Sequence, residues 1–211
     1  MRPKEINTVI QEQTESFFVK EGFKYFKKDM GFLKKENSHT IRYGFSYLEY
    51  HPEYDYDINM YAILNEVETI YSKVDGSGII GVTYVFPLSY FIDSTNYINN
   101  NPKFPIIEPT DVQIFSTALI ENYEKYVRDF IPFIIQPKNM LNFLLSEIAT
   151  GKQYAANDEN VLIRTLILLK LTKSPLLTEK LKEFKENLKN CNENLKQKFH
   201  KQMDDVVNGN Y

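Results

Sequence analysis

The chain has 211 residues, a formal net charge of −3 and a single cysteine. That length holds one large domain or two small ones, with a real core, since roughly 70% of the unfolded surface is buried at this size. The charge lacks the basic excess by which nucleic-acid binders hold phosphates, and the lone Cys191 excludes an intramolecular disulfide and a cysteine zinc site within one chain. The N-terminus M-R-P-K-E-I-N-T-V-I-Q has no apolar core of signal-peptide type. The longest apolar run, Val161 to Leu171, is interrupted by Arg164, Thr165 and Lys170. It falls short of the roughly 20 apolar residues that cross a bilayer. A cytoplasmic protein with no membrane partner is expected. Tyr and Phe number 15 each, and Lys, Asn and Ile are abundant while Arg is rare. Those are residues of AT-rich codons, which accounts for much of the aromatic excess.

Residues Ile6 to Lys20 read as a helix with Ile6, Val9, Ile10, Gln13 and Phe17 on one face, ended by Gly22. Short strands are expected at Phe23–Phe26 and Phe32–Lys35, with a turn at Lys28-Asp29 and Gly31. The strongest signal is a hairpin from Thr40 to Leu64, in which large apolar residues alternate with small or polar ones on both sides of a His51-Pro52 turn. An even-numbered loop, with paired residue numbers summing to 105, puts Ile41, Tyr43, Phe45 and Tyr47 on one face with Tyr54, Tyr56, Ile58 and Met60. The other face gathers Arg42, Gly44, Ser46, Leu48, Tyr50, Asp55, Asp57, Asn59 and Tyr61. A one-residue slip would send the apolar set to the wrong side.

Asn65–Lys73 reads as a short helix, Asp75–Gly78 as a loop and Gly81–Pro87 as a strand. Asp93–Pro109, rich in Asn and Pro, reads as a linker or long loop. Thr110 is placed to cap a helix reaching Ile131, with the stripe Phe115, Leu119, Tyr123, Tyr126 and Phe130. Helices are also expected at Asn139–Thr150 and Asp158–Lys173, after an Asn157-Asp158 signal. A long last helix is expected from Leu176 to Val207, with the stripe Leu177, Leu181, Phe184, Leu188, Cys191, Leu195, Phe199, Met203 and Val206. The order is one helix, an antiparallel sheet of four or five strands, then a C-terminal bundle of about four helices. Strands and helices in separate runs make this an α+β fold. The corresponding division is 1–92 for helix plus sheet, 93–109 for the connection and 110–211 for the helical part packed on the sheet.

Motifs of catalysis are weak. Gly76-Ser77-Gly78-Ile79-Ile80-Gly81 matches G-x-G-x-x-G, but it follows a helix and precedes a strand, the reverse of the dinucleotide context. It reads as a flexible loop. Glu49, His51, Asp55 and Asp57 have the residue types of a metal or acid–base site, yet the preferred register separates them, leaving a solvated hairpin tip. Cys191 on an apolar stripe reads as a small buried hydrophobe. The lysine pairs Lys27-Lys28 and Lys34-Lys35 read as solvated faces balanced by neighbouring acids. No catalytic residue, metal ligand or cofactor is assigned.

Tyr43 to Ser72 contains no Lys or Arg but carries Glu49, Glu53, Asp55, Asp57, Glu66 and Glu68. An acidic, aromatic sheet face suits a basic protein partner captured by electrostatic steering. The expected contact surface is Tyr50, Asp55, Asp57, Asn59 and Tyr61, because two carboxylates at i and i+2 repel and no base is near in sequence. E-G-F-K-Y-F-K-K at 21–28, M-G-F-L-K-K at 30–35 and I-N-M-Y-A-I-L at 58–64 follow an N-terminal helix. Over residues 6–74 this resembles a family of uncharacterised bacterial α+β domains of unknown function, some of whose members are regarded as immunity proteins of toxin systems. The resemblance implies a non-enzymatic, immunity-like binding module and supplies no catalytic residue. Two other readings stand beside it: an enzyme with a site between sheet and helices, and a scaffold or homodimer using the last helix.

Overall fold

The computed structural model describes residues 1–50, 53–93, 100–151 and 158–211. The fold is α+β, and the chain divides into two compact units. The sheet unit comprises Met1–Ala62 and Val85–Pro132, and the helical unit comprises Ile63–Tyr84 and Phe133–Tyr211. Each unit therefore takes two separate stretches of chain.

The sheet unit opens with helix α1 (Pro3–Lys20). Its buried residues are Ile6, Ile10, Thr14 and Phe18, a strict i, i+4 row. The stripe is thus rotated from the expected one: Gln13 is exposed, Phe17 only half-buried, and Phe18 takes the core position. Thr14 is tolerated in this row because its hydroxyl donates to the Ile10 carbonyl at 2.7 Å. Strands β1 (Lys24–Phe26) and β2 (Gly31–Lys35) follow, joined by a 3-10 turn at Lys27–Asp29. Then come β3 (His39–Tyr50) and β4 (Glu53–Leu64). β5 (Tyr84–Pro87) is shorter than the strand expected from Gly81, and helix α3 (Leu88–Ile92) was not foreseen. The 93–109 stretch is not wholly irregular, since it contains β6 (Phe104–Ile106).

The strand order is β1-β2-β3-β4-β5, with β6 also on β4. β6 runs antiparallel with Pro105 opposite Asp55. Proline cannot donate to a ladder, so it is at home in such a short marginal strand. Gly31 faces Gly44 across β2 and β3. A Cβ on either would lie 2.8 Å from the other's Cα, so this approach requires glycine on both sides.

Alternation along the hairpin is as expected. Ile41, Tyr43, Phe45, Tyr54, Tyr56, Ile58 and Met60 are all buried, while Tyr47, expected with them, is only half-buried. Across the two strands the Ser46 hydroxyl bonds Asp57 on the outer face, and Tyr47 stacks on Tyr56 on the inner one. The His51-Pro52 turn lies outside the described residues.

Helix α4 (Pro109–Asn122) packs on α1 and β6. Its cap is not Thr110. Asp111 instead accepts from the backbone N–H groups of Glu108 and Ile107 at 2.8 and 2.9 Å, and these bonds hold its carboxyl below the usual range. A π-turn, Tyr123–Val127, continues the helix, and α5 (Ile131–Ile134) follows. Val127 takes the buried place expected of Tyr126, while Tyr126 and Phe130 pack on Phe91. The core is aromatic: Phe18 stacks on Phe32 at 4.2 Å, and Tyr123 meets Phe18 edge-on at 5.3 Å. Tyr43 lies fully inside and donates its hydroxyl to the Leu119 carbonyl at 3.0 Å.

The helical unit contains α2 (Asn65–Asp75), α6 (Pro137–Ala149), α7 (Glu159–Leu171), α8 (Leu177–Asn187) and α9 (Glu193–Asn208). Helix α7 is buried on all sides, from Leu162 to Leu169, and packs against α2, α6, α8 and α9. That is the environment demanded by a helix that is apolar all round. The expected single last helix is two helices. Asn192 caps α9 by accepting from the Asn194 N–H at 3.0 Å, which breaks the chain after Leu188. Cys191 falls in that turn and is half-exposed rather than buried, and Leu195 is exposed. Phe184, Leu188, Phe199, Met203 and Val206 remain buried.

Candidate functional site

The outer side of the β3–β4 hairpin is a built polar network. Asp57 accepts from the Ser46 hydroxyl, from the Asn59 amide at 3.0 Å and from the Lys103 ammonium at 2.8 Å. Its side chain is 16% exposed. Lys103 directly precedes β6, so pairing of that strand with β4 delivers a base that no neighbour in sequence supplies. Farther along, the Arg42 guanidinium lies 3.5 Å from the centre of the Tyr61 ring and 3.6 Å from Asp29. Burial pushes the Tyr61 hydroxyl pKa up, and the neighbouring Arg42 holds it back. The Arg42 Nε is buried without a hydrogen-bond partner.

The five residues expected to form a contact surface therefore separate into two groups. Asp57 is paired, Asn59 is only 9% exposed and Tyr61 lies under Arg42. Tyr50 is 59% exposed and Asp55 is half-buried. Following the same alternation, Leu48, 51% exposed, and Tyr50 share the outer face with Glu53 and Asp55. The accessible chemistry is thus concentrated at the turn end of the hairpin. Among the described residues no group of three or more His, Cys, Asp or Glu could hold a metal ion. His51, which belonged to the Glu49–Asp57 constellation, lies outside the described residues.

In the helical unit, sequence reasoning missed a buried ion pair. Arg164 on α7 grips Glu68 on α2 with two parallel bonds, Nε to Oε1 at 2.8 Å and Nη2 to Oε2 at 2.9 Å. Glu68 is fully buried. The Thr83 hydroxyl adds a third bond to Oε1 at 2.8 Å and accepts from the Leu64 N–H at 2.9 Å. The guanidinium also lies 3.9 Å from the centre of the Tyr71 ring, whose hydroxyl bonds Asn160. Gly81, the last glycine of the loop at 76–81, closes over the pair, since a Cβ there would lie 2.8 Å from the Arg164 Nη2. This arrangement ties helix to helix and presents no spare carboxylate for chemistry. One signal was available, a lone arginine inside an all-apolar helix, which must find a partner.

The remaining glycines of that loop behave as expected of a turn, with Gly76 and Gly78 at φ 74° and 64°. Lys27 and Lys28 are exposed, as expected of a solvated face, and with Lys4 they line a cavity of about 280 Å³ between α1 and the β1–β2 turn. A second, open groove runs along the exposed side of α4 past Ile114 and brings no charged cluster together.

Among the described residues no helix is long and apolar enough to cross a membrane. Comparison with protein-family models, with curated proteins and with solved structures finds no match to this chain.

Proposed function

We propose that the chain is a non-enzymatic, cytoplasmic protein-binding module that offers the turn end of the β3–β4 hairpin to a basic protein partner, in the manner of an immunity-like antitoxin. The observation that carries this reading is the juxtaposition of exposed Leu48 and Tyr50 with Asp55 and Glu53 on one face. Exposed apolar area beside carboxylates suits a partner that brings lysine or arginine together with apolar contact. Asp57, Asn59 and Tyr61 then serve as the rigid platform behind the contact, because their hydrogen bonds and ring contact with Arg42 fix the strand. The antitoxin part of the reading rests on the resemblance of residues 6–74 to a family of uncharacterised α+β domains, some of whose members are regarded as immunity proteins.

The test compares the original chain with a Tyr50→Ala/Asp55→Asn variant as bait in extracts of the native cell at low salt. Tyr50 is exposed and Asp55→Asn is nearly isosteric, so the fold is expected to survive, which circular dichroism checks. A basic protein retained by the original, released by salt and lost with the variant is the expected outcome. Recovery of the same proteins at the same level with both baits rejects this face.

A further inference from the structure

We propose that the cavity between α1 and the β1–β2 turn binds a small phosphate-bearing molecule, with its phosphate on Lys4, Lys27 and Lys28 and its less polar part against Tyr25 and Tyr47. Three lysines from two separate elements, all exposed to solvent, line this one space of about 280 Å³. Among the described residues none of the three forms an ion pair, unlike Lys103, Lys180, Lys185 and Lys189. Like charges gathered in one concavity repel and raise the local potential, and a multivalent anion relieves that repulsion. Lysine is suited to phosphate as a set of adjustable point charges.

The walls are fixed rather than loose. Asn7 on α1 accepts from the Tyr56 hydroxyl at 2.7 Å and donates its amide to the Met30 sulfur at 3.3 Å, which ties the helix to the turn. Met30 sits in the left-handed region at φ 46°, a conformation that a non-glycine residue keeps only where its surroundings hold it. Its carbonyl accepts from the Phe45 N–H at 3.0 Å, so the strained turn is anchored to β3. Tyr47 stacks on Tyr56 at 5.3 Å, which supports its ring as part of the wall. The acids nearby are accounted for. Glu15 takes a hydrogen bond from Gln11 at 3.0 Å and Asp29 pairs with Arg42 at 3.6 Å, while Glu5 accepts from the Arg2 N–H at 2.8 Å. Among the described residues no carboxylate lines the cavity itself. Small-molecule sites start at about 300 Å³, so this one fits a ligand of mononucleotide size or less rather than a duplex.

The experiment titrates the full chain with pyrophosphate, adenosine monophosphate and oligothymidylates of increasing length, read by calorimetry and by amide shifts in two-dimensional NMR. Saturable, salt-sensitive binding of pyrophosphate or the mononucleotide is expected, with shifts centred on Asn7, Tyr25 and Lys27 to Met30. Lys27→Gln/Lys28→Gln should weaken it about tenfold or more, from the loss of two charge-assisted contacts. Lys138→Gln/Lys182→Gln removes the same charge elsewhere and should leave affinity unchanged. The proposal is overturned if neither small probe binds saturably, or if both double variants weaken binding equally. Affinity that grows with oligothymidylate length beyond that of the mononucleotide also overturns it, in favour of an extended nucleic-acid surface.

Discussion

Removing Arg164 alone should be among the most damaging single changes in the helical unit. Arg164→Leu places an apolar residue on a helix that is buried all round, where leucine suits its surroundings. What it leaves behind is Glu68, fully buried, with only the Thr83 hydroxyl still bonded to it. An uncompensated buried carboxylate of this kind costs about 3–5 kcal/mol, a large share of the 5–15 kcal/mol that holds a domain together. Tyr71 loses the cation 3.9 Å from its ring as well, adding about 1 kcal/mol. Glu68→Leu/Arg164→Leu removes both charges, and the chief remaining cost is the Thr83 hydroxyl without its acceptor, about 1 kcal/mol. The double variant should therefore be more stable than Arg164→Leu. Urea unfolding followed by circular dichroism gives the four stabilities of the cycle. The coupling energy should exceed about 2 kcal/mol. A loss below about 1 kcal/mol for Arg164→Leu would refute the reasoning, because it would mean water reaches Glu68 in the folded chain.

Other outcomes follow from the same contacts. Phe45 is 2% exposed and packs on Tyr56 and Phe115, so Phe45→Ala should lose about 3–5 kcal/mol in denaturant unfolding. Burial raises the Tyr43 pKa well above its ordinary value. The unfolded chain therefore gives up this proton first, so stability is full below about pH 10 and falls as pH rises beyond it, by up to about 1.4 kcal/mol per pH unit. Tyr43→Phe should flatten that alkaline decline in pH-dependent thermal melts, while losing the bond to Leu119. Cys191 is half-exposed in the α8–α9 turn, so it should label with a thiol reagent in the native state, and Cys191→Ala should cost less than about 0.5 kcal/mol.

Local pattern determined a good deal. The two-residue period of the hairpin placed Ile41, Tyr43, Phe45, Tyr54, Tyr56, Ile58 and Met60 inside, because burial there follows parity, though Tyr47 near the turn is only half-buried and Asn59 on the other face is buried. The helices α2, α6 and α7 were legible because periodicity and turn residues agreed at their ends. Periodicity failed where its spacing continued through a break: Leu188 and Leu195 keep a seven-residue interval, so only the capping preference of Asn192 could have divided α8 from α9. It also misplaced the α1 stripe by one position, since Phe17 and Phe18 are equally apolar and only the aromatic cluster around Phe32 selects between them. What tertiary structure alone decided are the charges. Asp57 meets Lys103 across 46 residues and Arg164 meets Glu68 across 96, while Lys4 joins Lys27 and Lys28 only after α1 lies along the sheet. Apolar burial follows a local repeat that the chain carries in itself. Electrostatic partners are chosen by distance in space, which the one-dimensional order of residues does not contain.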